Sequence, residues 1–444
     1  MKYNVFIMKE LPEKYLQEMQ NLLSEEEFQK YLASFEVPAF HGLRVNTNKI
    51  SVEEFREKFP YDLKPVPWCR DGFYYNEADP VSKHPYYFAG LYYIQEPSAM
   101  LPAEVLPIEA GDKVLDVCAA PGGKSTKLGA KLKGTGVLFS NDISASRCQG
   151  LLKNLERFGI RNSFVMSEDP QKFAPRFEGY FDKILVDAPC SGEGMFRKEP
   201  HLIDSWKEKD SSFYAPIQKS IMKSCLSMLK EGGMLVYSTC TFARCEDEEV
   251  IQYALSLDPE LKVIPIPVCD GFVQNEYGTK LFPHRIAGEG HFVCLLQKGE
   301  KKQKAAEKET VSAFRQDHVS LALKNGSFET IQDKKYFVPE TGNDLKGLRI
   351  MRSGLLLGEE KKNRFVFSGA LALAMKAEDC DNVMDLPLTD ERVVRYLKGE
   401  TLKVDDYKLK DGYALVCVDH YPLGFARISH GLFKNQYPKA WIYQ

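Results

Sequence analysis

Two cysteines stand where a thiol could do chemistry. Cys190 lies in Asp187-Ala-Pro-Cys190-Ser-Gly-Glu-Gly194 and Cys240 in Ser238-Thr-Cys240-Thr-Phe242, each just after a short apolar run that reads as a strand. A single cysteine at such a place is more often packing, as a small buried hydrophobe. Two at neighbouring strand ends weigh against coincidence, and a nucleophilic thiolate needs this partial exposure. Methyl transfer to carbon explains the demand for thiols. C5 of a cytosine attacks a sulfonium methyl too weakly by itself. A thiolate adding to C6, with a proton arriving at N3, pushes electron density onto C5. After transfer the C5 proton is removed and the sulfur leaves. On chemistry alone either cysteine could be that nucleophile. Asp187 is placed to reach N3 of such a base or the amino group of a cofactor.

The cofactor half of the site is a Gly-rich turn, Cys118-Ala-Ala-Pro-Gly-Gly-Lys124-Ser-Thr126, between an apolar run and helical text. Strand, turn and helix in that order bring backbone N–H groups close to a ligand. A P-loop needs glycine where Cys118 stands, and Gly-x-Gly-x-x-Gly is absent, so two common nucleotide motifs fail. Asp142 follows Gly122 by 142 − 122 = 20 residues. That spacing suits a carboxylate on ribose hydroxyls, and equally an N-cap for the helix starting near Ser144. The next two apolar runs end in Glu168-Asp169 and in Asp187. Acids at successive strand ends face the ligand crevice of such folds and suit a cationic sulfonium better than a polyphosphate. S-adenosylmethionine (SAM) fits best. Lys124 could orient the base or lower a thiol pKa.

Those residues need a scaffold. Val114–Cys118, Gly136–Ser140, Ser163–Met166, Lys183–Val186 and Met234–Tyr237 are short apolar runs, separated by helical stretches such as Ser144–Phe158 and Tyr214–Leu229. This alternation predicts a parallel sheet covered on both faces. Phe292–Leu296 reads as a last strand. The text divides into an N-terminal α+β module (1–85), the α/β domain (86–298), a linker and intermediate module (299–375) and a C-terminal module (376–444). Ser24 before Glu25-Glu26-Glu27 predicts a helix start, and the mixed-charge run Lys298–Glu309 reads as a linker.

Composition removes other classes. Lys and Arg number 59 and Asp and Glu 62, a net charge of −3, so a nucleic-acid partner must be held by local patches. With 44 % hydrophobic and 27 % charged residues, disordered and collagen-like compositions are excluded. No apolar run approaches the roughly 18 residues of a membrane span. Lys9 and Glu10 interrupt what a signal peptide would keep apolar, so a cytoplasmic location is expected. The eleven cysteines are scattered with no Cys-x-x-Cys pair, against zinc or a disulfide framework, and no metal is expected.

Val114–Thr126, Asp187–Gly194 and Ser238–Phe242 together resemble the motifs of the NOL/NOP/Sun family of RNA cytosine-5 methyltransferases, with Pro-Cys and Thr-Cys as signature dipeptides. Leu43–Thr47, Tyr93–Ser98, Leu281–Ile286 and Gly288–Phe292 are similar to further family motifs, so the likeness covers Leu43 to Leu296. Gly347–Arg352, Pro422–Phe425 and Tyr437–Lys439 are similar to the bacterial RsmF-like branch that modifies small-subunit rRNA. The resemblance implies an α/β, Rossmann-like class I SAM-dependent methyltransferase domain and a PUA-like RNA-binding last module. It implies that Cys240 is the nucleophile and that Cys190 assists product release, with Asp187 and Lys124 beside them. It carries SAM contacts onto Cys118, Ala119, Ala120, Pro121, Gly122, Gly123, Lys124, Asp142, Asp169 and Asp187. By spacing Glu168 competes with Asp169, and the motif favours Asp169.

The implied substrate is RNA, 16S rRNA or the 30S subunit, acted on by a monomer without a membrane or obligate protein partner. The same chemistry on tRNA, or an rRNA-binding assembly factor with little turnover, are the alternatives. Arg427–Tyr443 contains no acid and interleaves Arg427, Lys434 and Lys439 with Phe433, Tyr437, Trp441 and Tyr443. Those aromatics either stack on unpaired bases or pack inward from a final strand.

Overall fold

A computed structural model describes residues 10–300, 309–362 and 364–443. The segment before Glu10 and most of the mixed-charge run, 301–308, lie outside the described residues. The first module carries a helical pair, Glu13–Leu22 and Glu25–Ser34. As its sequence predicts, Ser24 caps the second helix by accepting the Glu27 N–H. A small antiparallel sheet follows, from β1 (Gly42–Val45), β2 (Lys64–Pro65), β3 (Gly72–Tyr74) and β4 (Tyr92–Ile94), in the order β2-β3-β1-β4.

The central sheet holds the expected strands as β5 (Lys113–Asp116), β6 (Val137–Asn141), β7 (Ser163–Met166), β8 (Phe181–Asp187) and β9 (Leu229–Thr239). They run parallel in the spatial order β7-β6-β5-β8-β9. The helices Gly123–Leu132, Ala145–Arg157 and Ser211–Met228 make the crossovers. Burial on both faces explains the unbroken apolar runs: Leu115, Phe139, Phe164 and Val186 feed one core, Val114, Leu138, Val165 and Leu185 the other. Past β9 the sheet becomes antiparallel through β10 (Leu261–Ile264), β11 (Phe272–Asn275), β12 (Gly278–Leu281) and β13 (His291–Lys298).

Beyond the linker come β14 (Val311–Gln316), β15 (Val319–Lys324), β16 (Gly326–Ile331) and β17 (Lys334–Pro339). Then β18 (Ile350–Ser353) crosses over and pairs antiparallel with β7, at the far edge of the central sheet. No periodicity in the sequence announces this, because β18 is four residues long and has no apolar run. The chain continues through β19 (Leu355–Lys361) and β20 (Arg364–Phe367) into a last sheet of β21 (Val383–Leu386), β22 (Gly412–Val418), β23 (Tyr421–Ser429) and β24 (Leu432–Asn435). This C-terminal sheet shares one core with the first module: Leu43, Phe55 and Tyr92 pack with Met384, Tyr396 and Leu423. Of the interleaved aromatics, Phe433 and Tyr437 are buried. Inward packing, not base stacking, accounts for these two. Lys434 and Lys439 stay exposed.

Candidate active site

The first strand of the parallel sheet hands the chain to the Gly-rich turn at its carboxyl end. Gly122 has φ of +111°, a left-handed conformation that favours glycine, and the helix Gly123–Leu132 starts immediately after it. The N-cap Gly122 offers no side-chain acceptor, so the first N–H groups of the helix, which have no intrahelical acceptor, are of the kind that can bind an anionic or polar ligand. The turn is held from outside. Arg147 Nη2 donates to the Ala120 carbonyl and Asn154 to that of Pro121, each at 2.8 Å. Arg44, fully buried on β1, donates from Nη2 to the Gly123 carbonyl and to Thr126 Oγ1, both at 2.8 Å. The small N-terminal module therefore sets the shape of this loop.

Asp142 is buried beside it. Its Oδ1 accepts the Ser144 N–H at 2.9 Å and its Oδ2 lies 3.3 Å from Arg147. Ser144 itself caps the helix that follows, so Asp142 is not the N-cap. Asp169 is exposed and does cap the short helix Pro170–Phe173, accepting the Gln171 N–H. Glu168 is buried, with Lys172 at 2.9 Å and Arg349 at 3.5 Å. A fully buried carboxyl, Asp116, underlies the loop. Burial pushes its pKa up to about 7 although Ser125 Oγ donates to it. The donor set fits a SAM-sized nucleoside cofactor: free helix N–H groups, a Gly-rich cradle and acids at successive strand ends. The Gly-rich turn, Asp142 and Asp187 are grouped at the carboxyl edge of the sheet, with Asp169 at its periphery.

The second half is built by β8 and β9, which pair in register so that Asp187 faces Ser238. Ser238 Oγ donates to Asp187 Oδ1 at 2.9 Å and Lys124 Nζ to Oδ2 at 2.7 Å. Burial raises the Asp187 carboxyl, but Lys124 and His291 more than offset it and hold the group well below the usual carboxylate range. Each strand then releases a cysteine. The two half-buried sulfurs, Cys190 Sγ and Cys240 Sγ, are 3.2 Å apart, and the Cys240 N–H donates to Cys190 Sγ at 3.4 Å. The adjoining Cys240 sulfur, and then burial, push the Cys190 thiol far up.

The loops carrying the sulfurs are tied to one another. Gly194 N–H donates to the Cys240 carbonyl and Gly290 N–H to the Gly194 carbonyl. These glycines touch: a Cβ on Gly290 would come within 2.2 Å of the Phe242 ring. Beneath them Glu246 accepts from Ser191 N–H (3.0 Å), Ser191 Oγ (2.5 Å) and Gln218 Nε2 (2.8 Å). Burial, with Glu193 nearby, pushes Glu246 up to about 7 despite those bonds.

Arg44, Glu246 and His291 were not singled out by sequence reasoning. For Arg44 a signal existed, a lone charge inside the run Leu43-Arg-Val, and for His291 a lone imidazole opening a final strand. Glu246 sits among other acids and carries no such mark. One group among the described residues has metal-ligand spacing, Cys69, Asp71 and Glu104, but Lys127 Nζ lies 2.5 Å from Asp71 and 2.7 Å from Glu104. An ammonium fills that place. A cavity of about 610 Å³ opens at the opposite edge of the sheet, lined by Lys49, Arg161 and His420 and by none of the expected site residues.

Fold and site together define a class I SAM-dependent methyltransferase. Family models match along the whole chain: 16S rRNA methyltransferase RsmB/F over residues 103–297, the N-terminal domain of RsmF over 11–97, the RsmF first C-terminal domain over 313–375 and the RsmF PUA domain over 383–443. Ribosomal RNA small subunit methyltransferase F of Erwinia tasmaniensis is 32 % identical over 97 % of this chain and 96 % of its own. The protein of that name from Vibrio parahaemolyticus is 33 % identical over 99 % and 98 %. The chain belongs to the RsmB/F family, with the RsmF domain set. A crystal structure of a methyltransferase homolog from Pyrococcus horikoshii, 30 % identical, superposes with a TM-score of 0.55 over 65 % of this chain and all of that one. NSun6 from the same organism, solved with SFG, shares the fold at 22 % identity and a TM-score of 0.58, over 65 % of this chain and 99 % of its own.

No helix among the described residues is long and apolar enough to cross a membrane.

Proposed function

We propose that this protein is a SAM-dependent methyltransferase that makes 5-methylcytosine in 16S rRNA, with Cys240 as nucleophile and Cys190 as the group that assists release. The observation that carries the reading is the pair of sulfurs 3.2 Å apart just past the ends of adjacent parallel strands, three residues beyond Asp187 and two beyond Ser238. One thiol adds to the ring and leaves it again; a second within contact distance suits assistance of that departure. SAM, held by Cys118 to Lys124 with Asp142 and Asp169 on its nucleoside end, supplies an electrophilic methyl group when bound.

The chain's own residues do the rest. Cys240 adds to C6 of the cytosine, and Asp187 meets the N3 edge of the ring. Lys124 fixes Asp187 and keeps it ionised. Cys190, held protonated by its neighbour and by burial, helps the product leave by donating to the departing Cys240 sulfur 3.2 Å away, while the C5 proton passes to water. The base must leave its stack to reach Cys240, so an accessible loop or single strand is the target. The modules at 1–85 and 376–444 hold RNA, the domain at 86–298 does the chemistry, and 299–375 braces the sheet edge. The working form is a cytoplasmic monomer acting on rRNA in the 30S subunit.

The test is incubation with labelled SAM and separated RNA classes, with bisulfite sequencing of the labelled species. Label in 16S rRNA or 30S particles at a cytosine is expected. Label confined to tRNA, or on another base, contradicts the proposal.

A further inference from the structure

His291 is distinguished by what it lacks. It opens β13 and is only 3 % exposed, yet neither ring nitrogen has a hydrogen-bond partner among the described residues. Its Nε2 lies 3.7 Å from Asp187 Oδ1. That is too long for a hydrogen bond but close enough for charge on either group to be felt by the other. Buried polar groups are nearly always paired. An imidazole with two idle nitrogens beside paired thiols and an ionised carboxylate therefore points to a task in the reaction.

The surrounding charges narrow that task. Lys124, from the helix Gly123–Leu132, is committed to Asp187 Oδ2. Glu96, on the loop after β4, accepts the N–H groups of Ser98, Ala99 and Glu289. Glu289 is locked to Arg197, at 2.8 Å, and Lys280 on β12 to Glu248, at 3.0 Å. Among these groups only the imidazole faces Asp187 without another partner, and an imidazole gains and loses a proton most readily near neutral pH. The proposed reaction needs such a group. Asp187 is held ionised and has no proton of its own, while N3 must gain one as sulfur adds to C6.

We propose that His291 is a positioning residue that acts through Asp187, storing the proton which the carboxyl group passes to N3 of the cytosine. This rests on the function proposed above. In the forward step the imidazolium N–H bond breaks as an O–H bond forms on Asp187, and that O–H breaks as N3–H forms. The Cys240 sulfur supplies the electron pair of the new S–C6 bond. The C5=C6 pair moves to C4=C5, and the C4=N3 pair becomes the N3 lone pair that takes the proton. As C5 takes the methyl group, the C4=C5 pair becomes the C5–CH₃ bond and the N3 lone pair re-forms C4=N3. On elimination the C5–H pair becomes C5=C6 as its proton passes to water, the S–C6 pair returns to Cys240, and the N3 proton goes back through Asp187 to His291.

The experiment is the pH profile of covalent adduct formation in the Cys190→Ala background, comparing His291→Phe and His291→Gln with the histidine parent. SAM affinity, measured by calorimetry, verifies folding in each. General acid–base groups contribute about 10²–10⁴-fold, so adduct formation should slow by at least about 10²-fold in both variants. Any pH dependence of the rate that belongs to the imidazole should disappear with it. Glutamine keeps a donor but cannot carry a proton, so its failure to rescue separates proton storage from simple hydrogen bonding. A wild-type rate and profile in either variant that binds SAM overturns the proposal. If Cys240→Ala still methylated, the function proposed above would fail instead. If Cys240→Ala is dead while His291→Phe is unchanged, only the proton store is wrong.

Discussion

Exchanging Glu246 for glutamine tests whether the floor under the Cys190 loop is built as described. The carboxyl is wholly enclosed and is pushed from 4.5 up to about 7, first by burial and then by Glu193. The folded chain therefore binds a proton that the unfolded chain has released across that interval. Stability associated with the group is fully present below about 4.5, declines as pH rises through the interval, and stays lost above about 7. The interval, 7 − 4.5 = 2.5, corresponds to roughly 3 kcal/mol at about 1.36 kcal/mol per unit. Glutamine does not titrate, so the variant should lack this slope. It also loses an acceptor for one of the Ser191 or Gln218 donors, a penalty of about 1–3 kcal/mol. The expected outcome is a variant about 1–3 kcal/mol less stable at pH 4.5 and near parity or better at pH 8. Urea unfolding followed by tryptophan emission reports this region, because Trp206 Nε1 donates to Glu193 beneath the same loop. If the stability difference changed by less than about 1 kcal/mol between those pH values, the placement of Glu246 would be wrong.

Further outcomes follow from other parts of the molecule. Asp142→Ala should weaken SAM binding at least about tenfold by calorimetry, the loss of a charged hydrogen bond; the exposed Asp169→Ala should cost less. Lys127→Met strands Asp71 and Glu104 without their cation and should destabilise the protein by about 3–5 kcal/mol in denaturant titration. Lys434→Ala should lower the salt slope of RNA binding by about 1 while leaving stability intact. Phe433→Ala should do the reverse, lowering the melting temperature by a core-cavity amount.

Much of the catalytic domain was readable because its strands are buried on both faces and its helices alternate with them, a pattern that survives without an alignment. The residues proposed for the site stand out in the sequence where a residue type is chemically unusual for its position, as for Cys190, Cys240 and the turn at Gly122. What escaped depends on contacts between distant segments. Arg44 reaches the Gly123 carbonyl from another module, and β18 crosses back from Ile350 to extend the sheet on β7. Neither pairing leaves a local periodicity. The aromatics of the last strands show the opposite ambiguity: alternation with lysines suits a stacking surface and an amphipathic strand equally, and only the packing of Phe433 and Tyr437 beside Tyr396 separates the two.

The most direct measurement is the trapping of the sulfur–base bond. Cys190→Ala protein, incubated with SAM and substrate RNA and run on a denaturing gel, should give a slow band containing both protein and RNA. The Cys190→Ala/Cys240→Ala double variant should give none. A band that survives removal of Cys240, or one that forms only when Cys190 is the remaining thiol, would contradict the account.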